Sequence, residues 1–520
     1  MSTAQALPTA SPPPFAWHRA WVLIVLSLAV VVLAAIDVLP TWPGLVHLVA
    51  LPPLDLFTDL RLIIALAPSW PVAVISLVAV LGLRITLMAY LMGGLSRATL
   101  GLATRFYALV ILPVTGAAAA STIAATMPQS AVFWTAVGVL GLVSLVSAAV
   151  PWQGTTRLRS AIRRSFHRGP QFEVLLTYAA VAVALGWVAH LVEGLTLPFV
   201  PLSALATALA IYFFQRPPVR PVLIGSVTVA SAVAAGAAVV FLRLPDPPVQ
   251  EASRQEGSLL LMAGIDSSSG TGTILQTDPE QLGYTCDQVH YFSYAGPGDG
   301  QPQGHAECPN TSGAPYERED TQRSLDELVE IFAEQTQDLP RPLVVAGHSN
   351  AVWVAWEAAA RGEAEVDVLS LVGPMPDSPA GYPPPGEDGP GRVLGDMLRL
   401  VEPAGTLIDY EPSPDAPQAQ ELQAVPNASR EIFSRPLPEE VRVLSVMAVR
   451  DLAIMPGGWR LDVERNACPV LSEHSDLPVT NEYTEELIRF LDGQPGPECS
   501  VWLSGIATLA VPFGPAPGGG

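Results

Sequence analysis

The chain has 520 residues, half of them hydrophobic, with 48 acidic side chains against 27 basic ones. That length leaves room for two or three domains, and the apolar fraction calls for a membrane part. Charge is segregated: residues 1–244 hold 13 arginines and 5 acidic residues, whereas residues 245–520 hold 14 arginines and 43 acidic residues. So acidic a second half excludes a nucleic-acid binder, which needs basic patches to meet phosphate.

Residues 1–20 form a short proline-containing tail expected in the cytoplasm. Trp21 to Leu39 is apolar and about long enough to span a bilayer. No small-residue cleavage site follows and more apolar segments do, so it reads as a retained first helix and not a signal sequence. Six more spans are expected at Pro71–Leu91, Phe106–Ala125, Ala131–Val150, Phe172–Leu191, Pro198–Phe214 and Pro221–Phe241. This gives a membrane domain of about seven helices over residues 21–244. The region Leu60–Gly94 is ambiguous, being too long for one span and carrying Arg84 inside.

Arginines crowd three of the connecting loops: Arg97 and Arg105, then Arg157 to Arg168, then Arg216 and Arg220. The positive-inside rule puts these loops in the cytoplasm. Seven spans then place everything after residue 245 on the outer side of a plasma membrane. The Arg157–Arg168 loop is chiefly a topology signal, with anionic membrane lipids as its available partners. Only Asp37, Arg84 and Glu193 stand out as charges in the spans, all readable as near helix ends. No paired charges are expected, so the helices read as an anchor.

Residues 245–256 form a linker, and a three-layer α/β domain is expected over residues 257–499. Ser258–Ala263 reads as a buried strand running into the small polar loop Gly264–Gly272. Val289–Tyr294 is a second strand, and Glu319–Gln335 has helical spacing. Leu343–Ala346, Val366–Val372 and Val441–Val449 are three further strands, and Glu482–Leu491 is a closing helix. Strands alternating with helices argue for a mostly parallel sheet with ligands at the strand carboxyl ends. The long Pro/Gly/acid-rich insertion 374–440, helical near Val393–Val401, is a candidate lid or a disordered excursion. Residues 500–520 form a tail.

Four cysteines, Cys286, Cys308, Cys468 and Cys499, all lie in the acidic half. An even number there fits two disulfides in an oxidising compartment, with Cys286–Cys308 and Cys468–Cys499 as the nearest-neighbour pairing. The alternative is four free thiols. No zinc-like spacing occurs, so neither a metal nor a cofactor is expected.

The chemistry centres on Gly347-His-Ser-Asn-Ala351, set between the third strand and a helix-forming stretch. A strand, a sharp turn and a helix with serine at the apex is the setting of a nucleophile elbow. Gly347 and Ala351 are small where the two backbones approach. Ser349 would stand at a helix amino end, where developing negative charge is favoured. An acyl-transfer serine also needs a histidine to take its proton and a carboxylate to hold that histidine's tautomer. His474, in the polar loop Ser472–Pro478, is the candidate base. His290 sits in a strand, His305 in a loop before the serine, and His348 is expected to point elsewhere. Asp451, just after the fifth strand, is the candidate acid, with Asp377 as runner-up. Glu473 and Asp476 read as solvated neighbours. The backbone N–H groups of Asn350 and Ile265 are the candidate oxyanion donors.

The carriers Ala263-Gly-Ile-Asp266, Gly347–Ala351, Arg450-Asp451 and His474–Pro478 resemble the α/β-hydrolase superfamily in its esterase/lipase branch, over roughly residues 257–493. Their Ser, Asp, His order is that family's order. Two departures are Ala351 in place of glycine and a short gap between Asp451 and His474. The resemblance implies a membrane-anchored serine hydrolase that cleaves acyl esters of lipids or envelope glycans through an acyl-enzyme. Two other readings are a cell-envelope acyltransferase using the same residues and a non-catalytic, hydrolase-like sensor or scaffold.

Overall fold

A computed structural model describes residues 17–127, 129–167, 171–192, 194–215, 252–377, 381–407, 410–455, 458–499, 505, 508–514 and 516. The chain divides into two compact units. The first comprises Met1–Ile63, Pro71–Ala119 and Thr135–Gly236, and the second comprises Ile64–Trp70, Ala120–Trp134 and Ala237–Gly520.

The helical part of the chain runs α1 (Trp21–Ala35), α2 (Leu54–Leu66), α3 (Trp70–Met92), α4 (Arg97–Thr126), α5 (Ser130–Ser147), α6 (Leu158–His167), α7 (Phe172–Leu191) and α8 (Thr196–Phe214). Among the described residues, six helical segments are long and apolar enough to cross a bilayer. They coincide with the first six expected spans, so the chain reads as a multi-pass membrane protein. The seventh expected span, Pro221–Phe241, and Glu193 lie outside the described residues. The ambiguous region resolves into α2, too short to cross on its own at about 1.5 Å per residue, followed by α3.

The expectation that no charges pair within the helices is overturned here. Arg84 of α3 donates from Nε and Nη2 to both oxygens of Asp59, at 2.7 and 2.9 Å. Its Nη1 lies 3.5 Å from Asp55 Oδ2, which also accepts the Tyr107 hydroxyl of α4 at 3.1 Å. All four side chains are buried. Asp55 and Asp59 sit four apart, so one face of α2 carries both. They escaped notice because α2 is not itself a span. Leaving any member of such a set unpaired in an apolar interior is costly, and the set closes on itself.

In the α/β unit, six parallel strands lie in the order β2-β1-β3-β4-β5-β6. They are β1 (Ser258–Met262), β2 (Val289–Tyr291), β3 (Leu343–His348), β4 (Val368–Val372), β5 (Arg442–Val446) and β6 (Arg465–Asn466). Helices α9 (Leu325–Thr336), α10 (Ala351–Arg361), α11 (Arg392–Val401), α12 (Pro417–Leu422), α13 (Ala428–Phe433) and α14 (Asn481–Leu491) accompany them. Every residue of β1, β3 and β4 is buried, as continuous apolar runs require of a covered parallel sheet. The helix expected from Glu319 begins later. Residues Arg318–Gln322 make a 3-10 turn, and Ser324 caps α9 by accepting the Glu327 N–H.

β6 was not anticipated. It is two residues long and polar, so no apolar run announces it, and it sits at the sheet edge, where short strands are usual. Insertion 374–440 is neither a plain loop nor a single helix. Its described part carries α11, α12 and α13, and it packs on the unit through Trp356–Phe433 and Asn350–Gln418 contacts.

Disulfides join Cys286 to Cys308 and Cys468 to Cys499, the nearest-neighbour pairing.

Candidate functional site

Register brings the carboxyl ends of the central strands level. Met262 pairs with Gly347, and His348 pairs with Val372. Beyond them, the Ser349 N–H donates to Val372 O and the Gly373 N–H to Val446 O. The turns after β1, β3 and β4 are therefore side by side. That follows from parallel pairing, since every strand ends on the same edge.

Ser349 occupies the turn between β3 and α10 with φ of 59°. A serine in the left-handed region costs on the order of 1–3 kcal/mol and persists only where its surroundings enforce it. The enforcement is visible. A Cβ on Gly347 would come within 3.3 Å of the Ala351 backbone, and one on Gly264 within 2.9 Å of Ser349 Cβ. The expectation of small residues at Gly347 and Ala351 is met, and Gly264 joins them. Asn350 precedes the first turn of α10, so Ser349 stands at the positive end of an eleven-residue helix.

His474 and Asp451 come together across the far side of the sheet. After β5 the chain makes a 3-10 turn, Val449–Ile454, with Asp451 inside it and fully buried. A single bridge pairs Ala448 with Val470, supported by hydrogen bonds Val449 N–H to Val470 O and Val470 N–H to Met447 O. The Asp451 turn is thus held against the His474 loop. His474 Nδ1 lies 2.7 Å from Asp451 Oδ2. A carboxylate can only accept, so Nδ1 carries the hydrogen, and in the neutral tautomer this selects it is Nε2 that holds the lone pair. Nε2 is buried and has no protein partner among the described residues. The short gap between the two residues is filled by the 3-10 turn and by β6, in place of a full helix and strand. Gly373, at φ 64°, leaves room for the imidazole: a Cβ there would fall 2.8 Å from His474 Cε1.

Ser349, His474, Asn350 and Ile265 all line one cavity of about 520 Å3. The N–H groups of Asn350 and Ile265 have no protein acceptor among the described residues. No hydrogen bond links the Ser349 and His474 side chains, although both line this cavity.

Several placements differ from expectation. His348 does not point away. Its Nε2 lies 3.0 Å from the His474 carbonyl oxygen, and the two rings sit 5.0 Å apart. Burial, then the neighbouring His474 ring, push the His348 pKa down to about 3 against the lift from that hydrogen bond, so the ring is neutral. A carbonyl accepts only, which puts the His348 hydrogen on Nε2. The Asp377 carboxylate lies 3.5 Å from Arg430, and the carboxylate against His474 Nδ1 is that of Asp451. Glu473 keeps a partly solvated side chain, as expected, and it also pairs with Arg450 and lines the cavity. His305 lines the cavity as well. The disulfide Cys286–Cys308 closes the stretch that carries it, a signal the cysteine spacing held. His290 lies in β2, its pKa lowered by burial.

Among the described residues, no three His, Cys, Asp or Glu side chains gather as a metal site would require. No protein-family model matches the chain, and no curated protein or solved structure matches it either.

Proposed function

We propose that this protein is a membrane-anchored serine hydrolase of α/β-hydrolase type that cleaves acyl esters through an acyl-enzyme. The observation that carries the reading is the 2.7 Å Asp451–His474 pair, whose unpartnered Nε2 shares a cavity with a serine held at positive φ. In this reading Ser349 Oγ attacks the ester carbonyl and its proton passes to His474 Nε2. The N–H groups of Asn350 and Ile265 stabilise the oxyanion. The tetrahedral intermediate collapses with loss of the alcohol, which takes the proton from His474. Water, deprotonated by the same nitrogen, then cleaves the acyl-serine, and the proton returns to Ser349 as the acid leaves. Asp451 orients the imidazole and stabilises its protonated form.

The insertion contributes Met375, Tyr410 and Gln423 to the cavity wall. We read it as a cover over the site rather than a disordered excursion. The two disulfides and the arginine distribution support an extracytoplasmic α/β domain on a plasma-membrane anchor.

The test is hydrolysis of p-nitrophenyl acetate by the purified full-length protein in detergent. Turnover abolished by Ser349→Ala supports the reading. Turnover unaffected by that substitution sinks it.

A further inference from the structure

One wall of the cavity at Ser349 is built by the residues that join two membrane spans. Gln129, Ser130 and Ala131 line it together with Ile265, Trp353 and Met375, and the surface it exposes is more apolar than polar. Those three residues lie within Ala120–Trp134, a segment of the second unit. The same segment reaches the site's machinery. The Trp134 indole N–H donates to the carbonyl oxygen of Arg450, next to Asp451, at 3.2 Å. The Gln129 side chain hydrogen-bonds the Tyr410 hydroxyl of the insertion.

The lengths of the spans fix the level of this wall. The apolar segment that begins at Ser130 runs to Trp152, 23 residues in all. At about 1.5 Å per residue it is about 35 Å long, against a hydrocarbon core of about 30 Å, so it has no length to lift Ser130 clear of the headgroups. Only residues 127–129 separate it from α4, whose 30 residues end at Thr126. Arg97 and Arg105, at the other end of α4, put the Thr126 end on the outer side by the positive-inside rule.

A second connection between helices gives the same level. Trp70 opens the span α3, and its indole N–H donates to Asp396 Oδ2 of α11 at 2.8 Å. The Gly389 N–H donates to Pro68 O at 3.0 Å. Pro68 and Trp70 also belong to the second unit. Leu400, one turn on from Asp396, is 78% exposed, and Val401 beside it is exposed as well. Tryptophan at a span end marks the membrane–water boundary, and apolar side chains left bare at that level are covered by lipid.

We propose that the ester cleaved at Ser349 is a bilayer-resident lipid ester, which enters the cavity past the α4–α5 connection at the outer face of the membrane without passing through water. The proposal rests on the serine-hydrolase reading above and narrows its substrate. A passage through water would forfeit the burial of every methylene of the acyl chain, and entry at the headgroup level avoids that loss. The bond broken is the acyl C–O bond. The lipid alcohol leaves with the proton from His474, and water supplies the oxygen of the released acid.

The experiment uses the full-length protein reconstituted in vesicles of ether-linked diphytanyl phosphatidylcholine, a matrix without carboxylic esters. Fluorophosphonate labelling of Ser349 is the control for the underlying reading. Initial rates are compared for dioleoylglycerol in the protein's own bilayer, for the same amount of dioleoylglycerol in separate protein-free vesicles, and for p-nitrophenyl acetate in water. Dioleoylglycerol is expected to be hydrolysed at least tenfold faster from the protein's own bilayer than from the separate vesicles. Ala131→Glu, which sets a carboxylate on the α5 wall, is expected to lower the ratio of own-bilayer dioleoylglycerol to p-nitrophenyl acetate turnover at least fivefold. A ratio is insensitive to how much of the variant folds. Labelling at Ser349 with turnover of the acetate and none of dioleoylglycerol, or with equal rates from the two vesicle populations, overturns this proposal and leaves the hydrolase reading standing. An unchanged ratio in Ala131→Glu overturns the route past the α4–α5 connection. Absence of both labelling and ester turnover overturns the hydrolase reading and this proposal with it.

Discussion

Each unit buries a carboxylate against a nitrogen base, and the two clusters end differently. In the helical unit, Arg84 spends Nε and Nη2 on Asp59 and faces Asp55 with Nη1, while Asp55 takes the Leu56 N–H and the Tyr107 hydroxyl as well. In the α/β unit, Asp451 holds only one side of His474, and the other ring nitrogen is left without a partner beside a cavity. A closed cluster holds helices in register. A cluster with one open nitrogen, lining the same cavity as a serine at positive φ, has in the proposed reading the capacity to take a proton. Burial and pairing alone do not separate these cases; the unsatisfied valence does.

Breaking the two clusters should therefore give different phenotypes. The largest effect is on turnover. Ser349→Ala should lower ester hydrolysis by about 10^4-fold or more with no loss of thermal stability, because it removes the attacking oxygen and no packing. Asp451→Asn should cost roughly 10^3–10^4-fold in kcat, because an amide at this position favours the wrong imidazole tautomer. A pH–rate profile of each variant distinguishes a lost base from a lost fold.

Arg84→Met should do the reverse. Two buried carboxylates would lose their cation, a cost of about 3–5 kcal/mol read as a drop in thermal stability in detergent. Turnover per folded molecule should stay within twofold. The quadruple replacement Asp55→Leu, Asp59→Leu, Arg84→Met and Tyr107→Phe should recover most of that stability, since it removes the Tyr107 hydroxyl together with its acceptor and leaves no member of the set unpaired. A quadruple variant no more stable than Arg84→Met would show that the cluster does more than hold helices.

The smallest effect concerns acid. His348 is neutral in the fold, its pKa down at about 3, and titrates near 6.5 when exposed. Between those values the unfolded chain binds more protons, so its contribution is intact above about pH 6.5 and is lost as pH falls toward 3. His348→Gln should make stability less steep over that window in denaturant titrations. An unchanged slope would place the acid sensitivity elsewhere.

Much of this was readable from residue order alone. β1 and β3 carry continuous apolar runs, and β4 and β5 carry runs broken inside the strand only by Ser370 and Ser445, as a covered parallel sheet accommodates, and the serine turn sits where one of them meets helix formers. Asp451 and His474 were legible because each follows a strand end or precedes the last helix. β6 was not, because two polar residues carry no periodicity and pair only because the sheet edge is already there. The Arg84 cluster was hidden for a related reason. Asp55 and Asp59 lie in a helix too short to register as a span, and nothing local ties them to Arg84 in the following helix. His305 and Glu473 reach the cavity through loop paths that only the folded chain defines.

Mass-spectrometric mapping of the fluorophosphonate adduct on the full-length protein bears most directly on the open nitrogen at His474. A single adduct on Ser349, formed far more slowly in His474→Ala, is the predicted result. An adduct at another residue, or labelling of Ser349 at the same rate without His474, would contradict the account.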